Sequence, residues 1–371
     1  MEELGIDALL LSHGADLPWL TGYRAMPLER LTMLVLPLVG DPVLVVPGIE
    51  APRVASAGNL FAVESWSDTE DPIAIVSSLL ARRGGGGSGS GSGGSGTLTL
   101  AISDRAWAAS VLALQRRVPN ARWVAASTVT SPVRAVKDTD ELEVLRAAGA
   151  AADRVAMVLQ RGGIGLIGRT EAAVSSEIGG LLMAEGHQQV NFAIVGSGPN
   201  AASPHHEPGS RVIRPGETVV CDFGGILSLG GDVGYCSDIT RTVVTGTPSA
   251  EVAECYEVLQ GAQHAAVASA RAGVPAQDVD AVARRIITDA GYGELFLHRT
   301  GHGIGIEEHE DPYLVAGNGE LLQPGHAFSV EPGIYAAGRF GMRLEDIVVI
   351  GDDGVPQPLN TVDHAMVAVE A

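Results

Sequence analysis

Cysteine is scarce in this chain, and its scarcity removes whole classes of function. There are 3 cysteines among 371 residues, Cys221, Cys236 and Cys255. An odd, low count builds no disulfide framework. None of the three falls at a CxxC-type spacing, which excludes a thiol-rich zinc site. They read as reduced, mostly buried thiols in a reducing compartment. Positive charge is also in short supply: 24 Lys and Arg stand against 44 Asp and Glu, a formal net charge of -20. Such a chain repels nucleic-acid phosphates and an anionic membrane surface alike. No stretch approaches the roughly 18 apolar residues of a membrane span. The opening MEELGIDALLLS lacks a basic segment followed by a long apolar run, so no secretory signal is expected and the expected location is cytoplasmic.

The chain is rich where a globular protein must be. Its 371 residues, 46% of them hydrophobic, suffice for two domains with substantial cores. The first third alternates strands and helices. Residues 7–12 (DALLLS) suit a buried strand, Leu31 to Leu36 and Val43 to Val46 form a hairpin around Gly40, Asp41 and Pro42, and Asp71 to Leu80 has helical periodicity. The tract GGGGSGSGSGGSG at 84–96 buries nothing and is expected to be a flexible loop. TLTLAIS follows it and reads as one more strand of the same α/β unit, so the tract is not the domain boundary. That boundary is expected at SPVRAVKD, 131–138, where Pro132 breaks structure and Asp138 with Glu141 forms a capping box. The domains are therefore 1–130 and 136–371. Leu142, Leu145, Ala148, Ala152, Val155 and Leu159 then share one helical face. Two segments, RTEAAVSSEIGGLLMAEGH and AQDVDAVARRIITDAGYG, each end a helix at Gly before a strand-like stretch. That is a faint echo of two related α+β halves.

Five side chains with metal-ligand chemistry recur in the second half. They are Asp222 in VVCDFGG, Asp238 in CSDITRT, His302 in RTGHGIG, Glu331 in VEPGIY and Glu345 in MRLED. Four carboxylates and one imidazole can hold two hard or borderline divalent ions, which points to metal-assisted hydrolysis. TVVCDFGG and YCSDITRTVV read as the arms of a hairpin with a Gly-rich turn, so Asp222 and Asp238 are expected side by side, needing a cation between them. Purely structural roles compete at every position. Asp238 has Arg241 as a salt-bridge partner, Glu345 has Arg343, Glu331 reads as a solvated turn charge and His302 as a loop histidine. A charge inside the apolar strand around Glu345 is costly unless paired or metal-bound. Gly301 and Gly303 let the backbone approach closely around His302, with His298 and His309 near it in sequence. The GxGxG string there does not join a strand to a helix, and the acidic residues after it would repel phosphate, so it is not read as a dinucleotide site. His205 and His206 lie in a Gly/Pro-rich loop, and a donor there could stabilise an oxyanion.

Taken together, GYCSDITRT, HRTGHGIGIEEHE, PGHAFSVEPGIY and GMRLED resemble the pita-bread metallopeptidases, the family of Xaa-Pro aminopeptidases, prolidases and methionine aminopeptidases. The resemblance runs over nearly the whole chain. It implies an α/β creatinase-like N-terminal domain and an α+β pita-bread catalytic domain with pseudo-twofold halves. It implies that Asp222, Asp238, His302, Glu331 and Glu345 bind two divalent metal ions, Mn or Co, with Zn or Fe as alternatives. Asp238 and Glu345 would bridge them, a bridging hydroxide would attack the scissile carbonyl, and Glu331 would shuttle the proton. His205 and His309 would orient substrate and stabilise the tetrahedral intermediate, supported by His298. The implied substrate is a proline-containing peptide or dipeptide, and the implied assembly a homodimer. Arg339 could bind a substrate carboxylate, which would favour dipeptides; a solvated loop arginine is the competing reading. Two alternatives remain: a metal-independent, creatinase-like amidinohydrolase and a non-catalytic binding protein on the same fold. Both should have lost the metal carboxylates. The stretch between Asp222 and Asp238 is longer than the family's, and a turn bulging outward at Gly230, Gly231 and Gly234 would keep both carboxylates on one face.

Overall fold

The computed structural model describes residues 1–54, 60–82, 97–230 and 233–369. The chain divides into two compact units, 1–133 with 230–233, and 134–371 without them. The Gly/Ser tract at 84–96 lies outside the described residues, as do the central residues of the turn after Gly230.

The first unit is a six-stranded sheet ordered β4-β3-β2-β1-β5-β6. Its strands are β1 (Ala8–Leu11), β2 (Met33–Pro37), β3 (Val43–Pro47), β4 (Ala62–Trp66), β5 (Thr99–Ile102) and β6 (Arg122–Ala125). The hairpin expected from Gly40 to Pro42 is present, with Leu34 opposite Leu44. Central strands are buried on both faces because side chains alternate. Leu10, Met33, Val35 and Val45 pack under helices α3 (Pro72–Ala81) and α4 (Ala108–Arg117). Leu9, Leu11, Leu34 and Leu44 face Leu17 of α1 (Asp16–Thr21) and Val54 of α2 (Ala51–Val54). Asp71 caps α3 by accepting from the backbone N–H groups of Ile73 and Ala74.

Pro132 does not break the chain. It lies inside α5 (Ser127–Ala135), where it forfeits only the bond its missing N–H would make to Thr128. The break comes just after, where Val136 pairs as an isolated bridge with His326. The buried Lys137 ammonium is held there by Glu310 Oε1 at 2.6 Å. Helix α6 (Thr139–Gln160) then starts on the expected capping box, Asp138 accepting from the Glu141 N–H and Glu141 accepting from the Asp138 N–H. Its buried face includes Leu145, Ala148, Ala152, Val155 and Leu159, and Leu142 is half-buried.

The second unit repeats one plan twice. In its first half α6 and α7 (Glu171–Ala184) pack on β7 (Gln189–Ser197), β8 (Thr218–Leu227) and β9 (Tyr235–Thr245). In its second half α8 (Ala250–Ser269) and α9 (Ala276–Asp289) pack on strands of a five-stranded sheet and of a separate two-stranded hairpin. Those strands are β10 (Gly301–Gly303), β11 (Glu310–Leu314), β12 (Ala327–Val330), the hairpin β13 (Gly333–Ala336) with β14 (Phe340–Arg343), β15 (Asp346–Ile350) and β16 (Pro356–Pro358); the sheet is ordered β11-β10-β12-β15-β16. A short β17 (Ala368–Val369) returns to β9. Period-2 alternation divides β8 and β9 between two tasks. Val219, Cys221, Phe223, Ile239 and Val243 enter the helix-facing core, which leaves Asp222, Asp238, Thr240 and Thr242 for the opposite face.

Replacing Asp138 with Ala should remove the α6 cap and destabilise the protein by about 1 kcal/mol. Urea denaturation is the check; an unchanged midpoint would mean the capping box contributes nothing to α6.

Candidate metal centre

The β8–β9 hairpin keeps unbroken register from Thr218–Val244 to Leu227–Tyr235. Its long connection therefore causes no slip. Asp222 faces Thr240, and Asp238 faces Gly224. The two aspartates are thus diagonal neighbours on one face rather than directly opposed. Glu345 arrives from the second half of the unit. It does not sit inside a strand, as expected from its apolar neighbours, but in the gap between β14 and β15, where its N–H donates to Thr240 O at 3.2 Å. Glu331 directly follows β12, and Pro332 separates it from β13. Gly301 and Gly303 flank His302 because nothing larger fits: a Cβ at Gly301 would lie 1.9 Å from Ser329 O, and one at Gly303 would lie 2.2 Å from Asp311 O.

Asp238, His302 and Glu345 each offer a ligand atom within 4.8 Å of the others, and all three are buried. His302 Nε2 lies 3.7 Å from Asp238 Oδ2 and 3.2 Å from Glu331 Oε1. Its Nδ1 is 3.1 Å from Gly303 O; a proton on Nδ1 donated to that carbonyl leaves Nε2 as the ligand atom. Glu345 Oε2 accepts from Thr240 Oγ1 at 2.6 Å. Asp222 lines the same cavity but is turned to Arg343, whose guanidinium donates to Asp222 Oδ2, to Tyr335 Oη at 2.8 Å and to Thr240 Oγ1 at 3.0 Å. The structural roles weighed for Asp238 and Glu345 are not the ones observed. Arg241 points to the helix side and pairs with Asp346 at 2.8 Å, while Arg343 pairs with Asp222.

The electrostatics call for a cation. Asp222 Oδ1 and Asp238 Oδ1 are buried with no hydrogen-bond partner, which costs free energy unless a ligand completes them. Burial, then the charges of Glu345, Asp222 and Glu331, push the Asp238 carboxyl well above its ordinary range. Burial, then Glu331 and Asp222, do the same to Glu345. Burial raises Asp222 as well, against the pull of Arg343. At Glu331 burial also raises the value, but the hydrogen bond and charge of His302, followed by His298 and Arg343, outweigh it and bring it to about 2. Carboxylates crowded this way stay ionised together only when divalent charge replaces their protons. The donor set fits such ions: oxygen-rich, one imidazole, and orphaned oxygens in a buried cavity.

That cavity has a volume of about 650 Å³, and His205, His298 and His309 all line it. His298 Nε2 lies 2.8 Å from Tyr335 Oη and its Nδ1 2.7 Å from Arg299 O. The His309 ring lies against His302 with centroids 4.0 Å apart and planes tilted by 58°. Burial, then the charges of His302 and Arg299, bring His309 down to about 4. Arg339 stands elsewhere: it is absent from the cavity wall, and its side chain, 56% exposed, is paired with Glu251. The arginines that do line the cavity are Arg343 and Arg299. Arg299 lies 4.5 Å over the Tyr313 ring and has no ion pair among the described residues. Sequence reasoning missed both in these positions, although Arg299 sits inside the RTGHGIG string and Arg343 inside MRLED. Phe192 and Ile194 of β7 and Val315, just after β11, add an apolar wall; apolar residues in and beside strands carry no signal that separates a cavity wall from core.

Comparison with known proteins shows the family. Residues 143–352 match metallopeptidase family M24, and residues 1–136 match the creatinase/prolidase N-terminal domain. The chain is 43% identical over 370 residues to the probable dipeptidase PepE of Mycobacterium tuberculosis, covering 99% of this chain and 93% of that one. It is 35% identical over 360 residues to the Xaa-Pro dipeptidase of Lactobacillus delbrueckii subsp. lactis, covering 95% and 93%. Among solved structures, dipeptidase PepE from Mycobacterium ulcerans superposes with a TM-score of 0.89 at 41% identity, covering 100% of this chain and 95% of that one.

Below their raised values the metal-free carboxyls keep their protons; at higher pH ionisation forces unrelieved charge into the site, and a divalent ion relieves it. The rise in Tm on adding Mn²⁺ to chelator-stripped protein should therefore be larger at pH about 8 than at pH about 5. A rise that is equal at both, or larger in acid, would contradict this electrostatic account.

Proposed function

This chain belongs to metallopeptidase family M24, a pita-bread catalytic domain joined to a creatinase/prolidase N-terminal domain, and we propose that it is a dinuclear-metal dipeptidase that hydrolyses Xaa-Pro bonds. The observation that carries this is the buried cluster of Asp238, His302 and Glu345 beside two unpartnered aspartate oxygens. In this reading the site takes in Asp222, Asp238, His302, Glu331 and Glu345, and the catalytic unit begins after the helical break at 136. Two divalent ions held there would polarise the scissile carbonyl and supply a nucleophilic water at neutral pH. Oxygen-rich ligation favours Mn or Co, with Zn and Fe as competitors.

The chain's own residues do the rest. Glu331 takes the proton of the attacking water on its carboxylate and returns it to the leaving proline nitrogen. His309, neutral near pH 7 by virtue of its lowered value of about 4, donates a hydrogen bond to the developing oxyanion without adding charge. His205 orients the substrate from its own loop. His298, tied to Tyr335 and through it to Arg343, is a rigid wall of the proline subsite. Arg299 takes the role first considered for Arg339: it binds the C-terminal carboxylate of a dipeptide by charge-assisted hydrogen bonds. The dipeptidase names of the similar proteins support the short substrate. Homodimeric assembly is carried over from the family resemblance, and a cytoplasmic location from reading the three free, buried cysteines as reduced thiols; no helix among the described residues is long and apolar enough to cross a membrane. A metal-independent amidinohydrolase or a purely binding role would leave three buried carboxylates and the half-buried Glu331 without purpose.

Rapid cleavage of Ala-Pro and slow cleavage of Ala-Pro-Ala are expected with Mn²⁺ present. Arg299→Ala should raise KM for Ala-Pro about tenfold or more, the loss of one charge-assisted contact, with a smaller effect on the tripeptide. Preference for Ala-Pro-Ala would overturn the dipeptidase assignment.

A further inference from the structure

A second cluster of metal-type nitrogens lies apart from the five-residue set. His264, on α8, is exposed, and its Nε2 lies 2.7 Å from Nδ1 of His364. The two rings are tilted by 48° with centroids 5.0 Å apart. On its far side His364 Nε2 lies 2.7 Å from Asp346 Oδ2. Asp346 is fully buried and is itself held by Arg241 at 2.8 Å and Gln263 at 3.0 Å. The approach of His364 to Asp346 is a charge contact without hydrogen-bond geometry; a carboxylate this close to Nε2 still favours the tautomer protonated there, which leaves Nδ1 as a lone pair facing His264. The same carboxylate–imidazole arrangement orients metal-ligating histidines generally.

The backbone around His364 is pinned as well. His364 O accepts from Tyr256 Oη at 2.9 Å. Asp363 O accepts from Gln160 Nε2 at 2.8 Å and from Arg241 Nε at 3.2 Å. Only His264 has freedom to adjust, and it is the solvent-facing partner. We propose that His264 and His364 form a second, exterior metal site that binds one borderline transition ion, Cu²⁺, Ni²⁺ or Zn²⁺, with water completing the coordination. Two imidazole nitrogens about 2 Å from a shared ion need only a few tenths of an ångström more separation than they now have. Binding replaces the proton shared between the rings: His264 Nε2 gives up its hydrogen, the ring carries its proton on Nδ1 instead, and both facing lone pairs go to the ion. An all-nitrogen pair takes Cu²⁺, Ni²⁺ and Zn²⁺ and leaves Mn²⁺ and Mg²⁺ in solution, the reverse of the preference of the carboxylate-rich cavity. Neither histidine lines that cavity.

The test is a calorimetric titration of the Mn²⁺-loaded enzyme with Ni²⁺, comparing wild type, His264→Ala and His364→Ala, with His13→Ala as a histidine control. Wild type and His13→Ala should bind one more equivalent of Ni²⁺ than either of the other two, or bind it at least tenfold more tightly, while turnover before Ni²⁺ addition is the same in wild type and His264→Ala. His364 touches buried Asp346, so if His364→Ala fails to fold, the exposed His264→Ala decides alone. Identical stoichiometry and affinity in wild type and His264→Ala would overturn the proposal.

Discussion

Four carboxylates crowded into one buried cavity are the constraint on which the rest of this catalytic unit depends. Asp222, Asp238, Glu331 and Glu345 repel one another and lose solvation at the same time. Burial and mutual charge drive Asp238 and Glu345 well above the ordinary carboxylate range, and only Glu331, next to His302, goes the other way. A fold that pays such a cost in every molecule needs a compensating ligand. The unpartnered oxygens of Asp222 and Asp238 show where compensation is missing.

Arg343 is the part of that compensation the chain supplies itself. Its guanidinium reaches Asp222, Thr240 and Tyr335, and Tyr335 reaches His298. It also donates to Pro204 O at 3.3 Å, next to His205. One buried cation thereby ties the first half of the unit to the second and sets two of the three cavity histidines in place. Thr240 has a parallel task, donating to Glu345 from the strand that carries Asp238. Strand alternation makes this economical: on β8 and β9 one face builds the helix-packed core and the other the site.

Much of this was legible in the residues. The five metal-type side chains stand in short strings whose glycines, prolines and apolar flanks announce strand ends and tight approaches, and the structure brings candidate ligand atoms of three of them within 4.8 Å of one another. The capping box at Asp138 and Glu141 was legible because its chemistry is local. Less local features were not. Pro132 looks like a breaker, yet α5 absorbs the loss of one hydrogen bond. Arg339 looked like a carboxylate anchor because it precedes GMRLED, but a loop's direction is set by tertiary packing, and its side chain turns to Glu251. Arg343 looked like a partner for its sequence neighbours. Strand geometry sends it instead across to Asp222, a residue over a hundred positions away in the chain.

The most direct test of the central claim is anomalous diffraction at the manganese edge from crystals grown with Mn²⁺. The account predicts two peaks in the cavity, within coordinating distance of Asp222, Asp238, His302, Glu331 and Glu345. No peak there in crystals of protein that fully cleaves Ala-Pro would contradict it.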